Sequence, residues 1–235
     1  MTPDDPFEST ASYYAEYRPR YGEAPMGNLV DRFGLDDGSR ALDLGCGTGQ
    51  TAIPLANHVG EVVGVDLGDE LGPVTVTTMG RSFHWMAREP TLERLRELTE
   101  PGGGVAVFGD TEWLTSGRRD WQDEVYALAS EYLDDLPERT GPRTEPYETP
   151  YDELIADCGF EGVDVATFDR TREWTVDEVV GYVFSLSFCS PATFGDARND
   201  FESDLRERLE ELGGGPLEQD EEVRVTSGRK RERDG

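Results

Sequence analysis

The stretch Asp43-Leu-Gly-Cys-Gly-Thr-Gly49 follows a short apolar segment, Arg40–Leu44, and precedes a helical pattern over Gln50–Ala56. This order predicts a strand, a glycine-rich turn and the start of a helix. Alternating glycines at positions 45, 47 and 49 remove the Cβ atoms where a ligand would press against the backbone. The amide groups at the helix start would then face whatever lies on the turn. Between the glycines, Cys46 is explained by its small size better than by nucleophilic chemistry.

A second strand is predicted over Glu61-Val-Val-Gly-Val-Asp66, about twenty residues after the first glycines. It ends in an acid at its carboxyl end, the position at which a carboxylate accepts hydrogen bonds from the ribose hydroxyls of a nucleotide. Asp66 is therefore a candidate ribose ligand. A solvated acid at a strand end is the alternative.

Strands alternate with helical patterns along most of the chain. Apolar β-branched runs begin at Val74 and Val105, and an amphipathic helix spans Arg88–Leu98 between them, with a turn predicted at Gly102–Gly104. This alternation predicts an α/β fold with a doubly wound, Rossmann-like, mostly parallel sheet. The last two strands, Val163–Phe168 and Glu222–Thr226, suit an antiparallel edge pair.

The composition is strongly acidic. The 235 residues carry a formal net charge of −28, and Lys230 is the only lysine beside plentiful arginine. Acids spread along the whole chain favour a protein of salt-loving (halophilic) cells, where salt screens self-repulsion, over an acidic protein with a basic partner. Binding to nucleic acid is disfavoured, because phosphate contact needs a basic face.

Targeting signals and metal motifs are missing from the sequence. The three cysteines, Cys46, Cys158 and Cys189, are scattered without metal-site spacing. No apolar run reaches the length of a membrane span, and the N-terminus does not resemble a secretion signal. We expect a cytoplasmic protein that does not bind membranes and holds no metal.

Together these segments resemble a known family, the class I S-adenosylmethionine (SAM) dependent methyltransferases. Within it they resemble the small-molecule branch called type 11 or ubiquinone-biosynthesis-like. The match is carried by an N-terminal tyrosine-arginine-proline segment, the glycine signature, the second-strand acid, the loop after the family's fourth strand and a glycine turn, and these are Tyr13–Pro19, Asp43–Gly49, Val62–Asp66, Met79–Met86 and Glu100–Gly104. The likeness covers most of the chain and weakens after about Trp113.

The resemblance implies SAM as cofactor and assigns residues to it. The backbone around Gly45, Cys46, Gly47 and Gly49 would lie beside the methionine portion, and Asp43 near its amino group. Four further residues would hold the ribose, approach the carboxylate and close the pocket floor, and these are Asp66, Arg18, Met79 and Gly80. A nicotinamide cofactor is a weaker alternative, because its G-x-G-x-x-G pattern would need glycine at Gln50.

One departure from the family is large. The family usually places a helix, a third strand and an acidic loop before its fourth strand, whereas about seven residues separate Asp66 from Val74 here. We infer an internal deletion and expect six strands, with the third family strand missing. Adenine would lose one wall, and each lost contact of about 1–3 kcal/mol would weaken binding about tenfold or more. The sheet edge would be exposed, which favours a homodimer through that edge.

The resemblance also implies the domain organisation. We expect one methyltransferase-like domain over 1–235, in which 7–39 form an N-terminal helical lid and 40–110 the cofactor-binding core. The C-terminal part, 111–235, would carry substrate-side helices over 174–212. The tyrosines Tyr13, Tyr14 and Tyr17 would either close on the ligand or pack into the core, and the aromatic segment Trp174–Phe194 would either cap the substrate or pack on the sheet.

His84 is the candidate catalytic residue, because an imidazole can take a proton from an acceptor as the methyl group transfers. Its alternative is packing of Phe83, His84 and Trp85 over the cofactor pocket, and the alternative for Asp43 is pairing with a helix N-terminus. The resulting hypothesis is a SAM-dependent methyltransferase acting on a small organic acceptor. The other hypothesis is a degenerate methyltransferase-like binding module with weak or no SAM binding.

Overall fold

The computed structural model describes residues 6–65, 73–139, 150–212 and 215–232. Within these ranges the helices are α1 (Pro6–Tyr17), α2 (Glu23–Phe33), α3 (Ala52–Leu55), α4 (Arg88–Leu98), α5 (Trp113–Ser116), α6 (Asp120–Tyr132), α7 (Tyr151–Asp157), α8 (Val176–Phe184), α9 (Pro191–Phe194) and α10 (Arg198–Glu211). The strands are β1 (Arg40–Leu44), β2 (Glu61–Val65), β3 (Val74–Gly80), β4 (Thr99–Asp110), β5 (Glu161–Trp174) and β6 (Leu217–Arg229).

The six strands form one sheet in the order β2-β1-β3-β4-β6-β5. Strand β1 pairs in parallel with β2 on one side and with β3 on the other, β3 pairs in parallel with β4, and β6 runs antiparallel to β4. The predicted Rossmann-like, mostly parallel sheet with antiparallel C-terminal strands is thereby confirmed. Strand β2 forms an edge of the described sheet, as expected; the homodimer through this edge remains a prediction.

The described residues divide into two compact units. A sheet unit comprises 20–65, 73–110, 150–168 and 222–232, and a helical unit comprises 6–19, 111–139, 169–212 and 215–221. The predicted boundary between 110 and 111 coincides with one of these divisions. The single domain over 1–235 stays a prediction.

The central strands of the sheet unit are buried on both faces. Successive residues of a strand point to opposite faces, so Ala41 and Leu42 belong to different apolar clusters. Helix α2 covers the face of Ala41, and helix α4 covers the face of Leu42 through Leu92 and Leu95. Burial on both faces explains why β1 and β3 read as nearly continuous apolar or β-branched runs.

The helical unit has an aromatic core. The ring of Trp113 stacks on Tyr182 with centroids 4.9 Å apart, and its centroid lies 4.7 Å from that of Trp121 and 5.9 Å from that of Trp174. Helix α8 is buried along most of its length. The aromatic segment that follows Trp174 therefore contributes mainly packing within this unit.

Helix α1 also packs within the helical unit. The ring of Tyr13 lies 5.4 Å from that of Phe184, and a Cβ at Gly181 would collide with the ring of Tyr17. These contacts favour the core-packing alternative for the N-terminal tyrosines.

Two predicted boundaries were wrong. Gly102–Gly104 were expected to form a turn, but they lie inside β4. A Cβ at Gly104 would collide with the carbonyl oxygen of Gly228 and with the ring of Phe33. Glycine is required there for the close approach of two neighbours. The helical pattern was expected over Gln50–Ala56, whereas α3 spans Ala52–Leu55.

Replacement of Gly104 by alanine tests this packing. We expect Gly104→Ala to lower the free energy of unfolding by about 3 kcal/mol or more, because the added methyl group has no room. Gly109→Ala on the same strand is the matched control, since a Cβ there meets nothing within 4 Å and the change should stay within about 1 kcal/mol. Chemical denaturation at fixed molar salt measures both, and equal losses would contradict the packing explanation.

Candidate functional site

The sheet changes direction at β1. The chain passes from β1 to its neighbour β2 on one side and then to β3 on the other. In open α/β sheets, ligands bind beyond the carboxyl ends of the strands at such a switch point. The glycine turn follows β1, and a short 3₁₀ turn, Phe83–Trp85, follows β3. The two segments that carry most of the predicted site residues therefore leave the same edge of the sheet unit.

All three glycines of the turn have positive φ, 70° at Gly45, 46° at Gly47 and 82° at Gly49. The amide of Gly45 donates to the carbonyl oxygen of Val65 at 2.7 Å, and the amide of Gly49 donates to that of Cys46 at 2.8 Å. The first bond fixes the turn to the end of β2, and the second closes the turn on itself. Glycine tolerates this conformation without the steric cost that other residues incur.

The three glycines face different surroundings. A Cβ at Gly45 would lie 2.5 Å from Cβ of Ser82, and one at Gly49 would lie 3.0 Å from the side chain of Ile53. A Cβ at Gly47 would meet nothing within 4 Å, and Gly47 is exposed. Gly45 and Gly49 accommodate the protein's own side chains, whereas Gly47 presents bare backbone to open space.

Asp43 connects three elements. It lies in β1 and is 2% exposed. Its Oδ1 accepts a hydrogen bond from the hydroxyl of Thr78 in β3 at 2.8 Å, and its Oδ2 accepts one from the amide of Ala52, the first residue of α3, at 3.0 Å. This is the helix-N-terminus pairing that the sequence left open. Contact of Asp43 with a cofactor remains a prediction.

Burial raises the pKa of Asp43 from 3.8 to about 6, although both hydrogen bonds act in the opposite direction. The free energy lost by desolvating the carboxylate thus exceeds what its two donors return. The site is consequently built around an acid that is only marginally ionised in the folded protein near pH 6.

The segment after β3 lies against the glycine turn. The hydroxyl of Ser82 donates to the carbonyl oxygen of Leu44 at 2.8 Å, and Cε of Met86 would lie 3.3 Å from a Cβ at Gly45. Sequence reasoning missed Ser82, because a serine in a loop carries no local signal for a partner 38 residues away.

Met79 and Gly80 end β3 in the packed interior. Met79 is fully buried in the core of the sheet unit. A Cβ at Gly80 would lie 2.7 Å from Oγ1 of Thr51 and 3.0 Å from the hydroxyl oxygen of Tyr21. Their assignment to a pocket floor stays a prediction.

His84 and its neighbours have different environments. Phe83 is 1% exposed and packs on Tyr151, while Trp85 is 65% exposed and lies with its ring centroid 4.9 Å from that of His84. His84 is itself exposed, yet nearby protein atoms desolvate the imidazole and lower its pKa below the ordinary 6.5. It is therefore neutral at pH 7 and can accept a proton.

Three predicted residues remain, of which Cys46 lies within the glycine turn. Cys46 is half-buried, and its Sγ would lie 3.0 Å from a Cβ at Gly64. Arg18 belongs to the helical unit, where its guanidinium lies 5.1 Å from the ring centroid of Tyr14 and 4.9 Å from that of Tyr182. Asp66 lies outside the described residues.

No group of three or more histidine, cysteine or acidic side chains in the described ranges could hold a metal ion. No described helix combines the length and the apolar character needed to cross a membrane.

Known proteins share this architecture. No protein-family model matches the chain. An uncharacterized methyltransferase-like protein of Schizosaccharomyces pombe is 24% identical over 208 residues, which cover 77% of this chain and 77% of the relative. An S-adenosyl-L-methionine-dependent Diels-Alderase of a Neonectria species is 29% identical over 171 residues, which cover 62% of this chain and 68% of that protein.

A solved structure agrees with these relatives. A protein of Anaeromyxobacter dehalogenans, assigned as a type II methyltransferase, matches with a TM-score of 0.60 and 21% identity over 92% of this chain and 99% of its own. The resemblance to class I SAM-dependent methyltransferases, and the fold that it implies, are thereby confirmed.

The raised pKa of Asp43 predicts a pH dependence of stability. Between the unfolded pKa of 3.8 and the folded pKa of about 6, the folded state binds more protons, so its stability falls as the pH rises. Relative to Asp43→Asn, which does not titrate, the wild-type protein should lose about 1 kcal/mol of unfolding free energy between pH 5 and pH 7. Urea denaturation at constant salt measures the difference. If the unfolding free energy of the wild-type protein relative to Asp43→Asn stays constant or rises with pH, the raised pKa of Asp43 is wrong.

Proposed function

We propose that the chain is a SAM-dependent methyltransferase that acts on a small organic acceptor. The bare backbone at Gly47 carries this proposal, because it lies open at the switch point of a sheet with the methyltransferase fold. The glycine turn leaves room for the cofactor, since a Cβ at Gly47 would meet no atom within 4 Å. Residues 45–49 would hold the methionine portion, and Asp66 the ribose.

When bound, SAM supplies an electrophilic methyl group whose leaving group is a neutral thioether. In-line placement of the acceptor against that methyl carbon is therefore more important than activation of the acceptor by a strong base. Neutral His84 would take the proton that an acceptor hydroxyl or amine loses. Asp43, with both oxygens bonded within the protein, would hold the turn in shape.

Arg18 is assigned to the carboxylate of SAM by the resemblance. Its Nε–H is buried without an acceptor, and no ion pair joins it to an acid among the described residues. A buried guanidinium N–H without an acceptor supports a role in binding an anion.

The acidic surface supports two further parts of the proposal. With a net charge of −28 the chain would repel nucleic acid, which favours a small-molecule acceptor. The same charge favours work at high salt in the cytoplasm of a halophilic cell. The open backbone at Gly47 and the neutral imidazole of His84 argue against a degenerate, non-catalytic binding module.

Calorimetric titration with SAM in molar potassium chloride tests cofactor binding. We expect saturable binding by the wild-type protein and at least tenfold weaker binding by Gly47→Ala, because the methyl group enters the space that the cofactor needs. Gly162→Ala is the matched control, since Gly162 also has positive φ, 55°, and open space, but lies in β5, four strands from β1. No heat with wild-type protein would refute the proposal.

Transfer of label from methyl-labelled SAM to a panel of small phenols, amines and carboxylic acids tests the reaction and His84. For an accepted compound, we expect His84→Gln to lower kcat about 100-fold at unchanged SAM affinity, and to abolish the fall in wild-type rate at pH values below the lowered pKa of the imidazole. An unchanged rate would assign His84 to packing.

A further inference from the structure

Arg81 has an unusual backbone. It follows the last residue of β3 and has φ of 52°, and it is the one non-glycine residue with positive φ in the described part of the chain. A long side chain in the left-handed region costs free energy, and such a residue persists where its surroundings hold it in place. Glycine at this position would adopt the same backbone without that cost, so the arginine side chain must contribute something else.

A buried ion pair holds Arg81. Its Nε donates to Oδ1 of Asp110, the last residue of β4, at 2.5 Å, and its Nη2 donates to Oδ2 of the same carboxylate. The two side chains are 11% and 6% exposed. A two-point guanidinium–carboxylate pair fixes orientation as well as distance.

Two more contacts complete the fixation. The guanidinium lies 4.8 Å from the ring centroid of Tyr21, and the backbone amide of Arg81 donates to the carbonyl oxygen of Phe108 at 3.3 Å. Arg81 is therefore held by the end of β4 and by the segment that precedes α2. Its left-handed conformation turns the chain away from the line of β3.

This turn determines where the next residues lie. Directly after Arg81, Ser82 bonds to the carbonyl oxygen of Leu44 and fills the space beside Gly45. The 3₁₀ turn Phe83–Trp85 follows, with the amide of Trp85 donating to Ser82 at 3.0 Å. The hydrogen bonds of Ser82 and Trp85 hold the residues that follow Arg81. The orientation of Arg81 therefore influences where His84 and Trp85 lie.

Stability alone does not explain the pair. Replacing a buried ion pair by apolar residues is often neutral or stabilising, so such a pair is weak evidence for a stabilising role. Here the pair occurs together with a strained backbone at Arg81, which lies at the carboxyl edge of the sheet next to the glycine turn. Strain at that place points to positioning of a functional segment.

We propose that Arg81 and Asp110 form a latch that positions Ser82–Trp85 against the glycine turn, with Arg81 as a positioning residue for cofactor binding. The inference rests on the proposed function for its ligand, but the latch itself is a property of the free protein. It adds two residues to the site that lie outside the glycine signature.

The binding test uses S-adenosylhomocysteine, the demethylated product, in calorimetric titrations at molar salt. We expect Arg81→Lys, Arg81→Gly and Asp110→Asn each to weaken binding at least tenfold. Arg81→Gly is the sharpest variant, because it keeps the left-handed backbone free of strain and removes only the side chain. Arg170→Lys is the control, since it alters another ion pair, with Glu221, in the helical unit and should leave affinity within twofold. Unchanged affinity in the folded latch variants would overturn the proposal.

Hydrogen exchange separates the latch from the proposed function. The amides of Trp85 and Met86 donate within the segment, so their exchange should accelerate at least tenfold in Arg81→Lys and Asp110→Asn, but not in Arg170→Lys. If the wild-type protein binds no S-adenosylhomocysteine but the two latch variants show this acceleration, the proposed function is refuted and the latch is retained. Exchange that is unchanged at these two amides would refute the latch, whatever the affinity.

Discussion

The carboxylate of Asp43 accepts hydrogen bonds from β3 and from the start of α3 while its own backbone belongs to β1. These three elements frame the glycine turn, so the position of the turn depends on one buried side chain. Desolvation of the carboxylate outweighs the benefit of both bonds, as the raised pKa of Asp43 shows. The arrangement fixes the geometry of the site with little gain in stability. The latch of Arg81 and Asp110 has the same character on the opposite side of β3, because it combines a strong pair with a strained backbone.

Much of the fold could be predicted from periodicity. The bounds of β1 and α4 are confirmed, because local patterns determine them. The glycines of β4 show where local reasoning fails. Three consecutive glycines predict a turn, but Gly104 is required by the carbonyl oxygen of Gly228, which is 124 positions away in the chain. A requirement set by a distant strand leaves no pattern in the local sequence.

The sequence predicted the glycine turn of the candidate site, but it did not indicate the residues that pack around the turn. The glycine signature located the turn, and the family resemblance located His84, but neither indicated that Gly47 alone of the three glycines faces open space. Ser82 and the pair of Arg81 with Asp110 carry no motif. Their partners lie 29 to 38 residues away, and an arginine with positive φ has no sequence signature. The predicted roles of Arg18, Asp43, Asp66, Met79 and Gly80 toward the cofactor still rest on the resemblance.

The register of the sheet also makes the chain a natural scaffold for grafting. Val65 pairs with Leu44 and Val76 with Ala41, so the end of β2 and the start of β3 lie about five residue rises apart along β1 and two strand spacings across it. That separation is about 20 Å, and the eight residues between Val65 and Val74 can reach about 26 Å. Because β2 is an edge strand of the described sheet, a strand inserted there would pair with its outer side and leave both neighbours of β1 in place. The chain between Val65 and Val74 is therefore a position at which protein engineers can insert a designed ligand-binding segment beside β2.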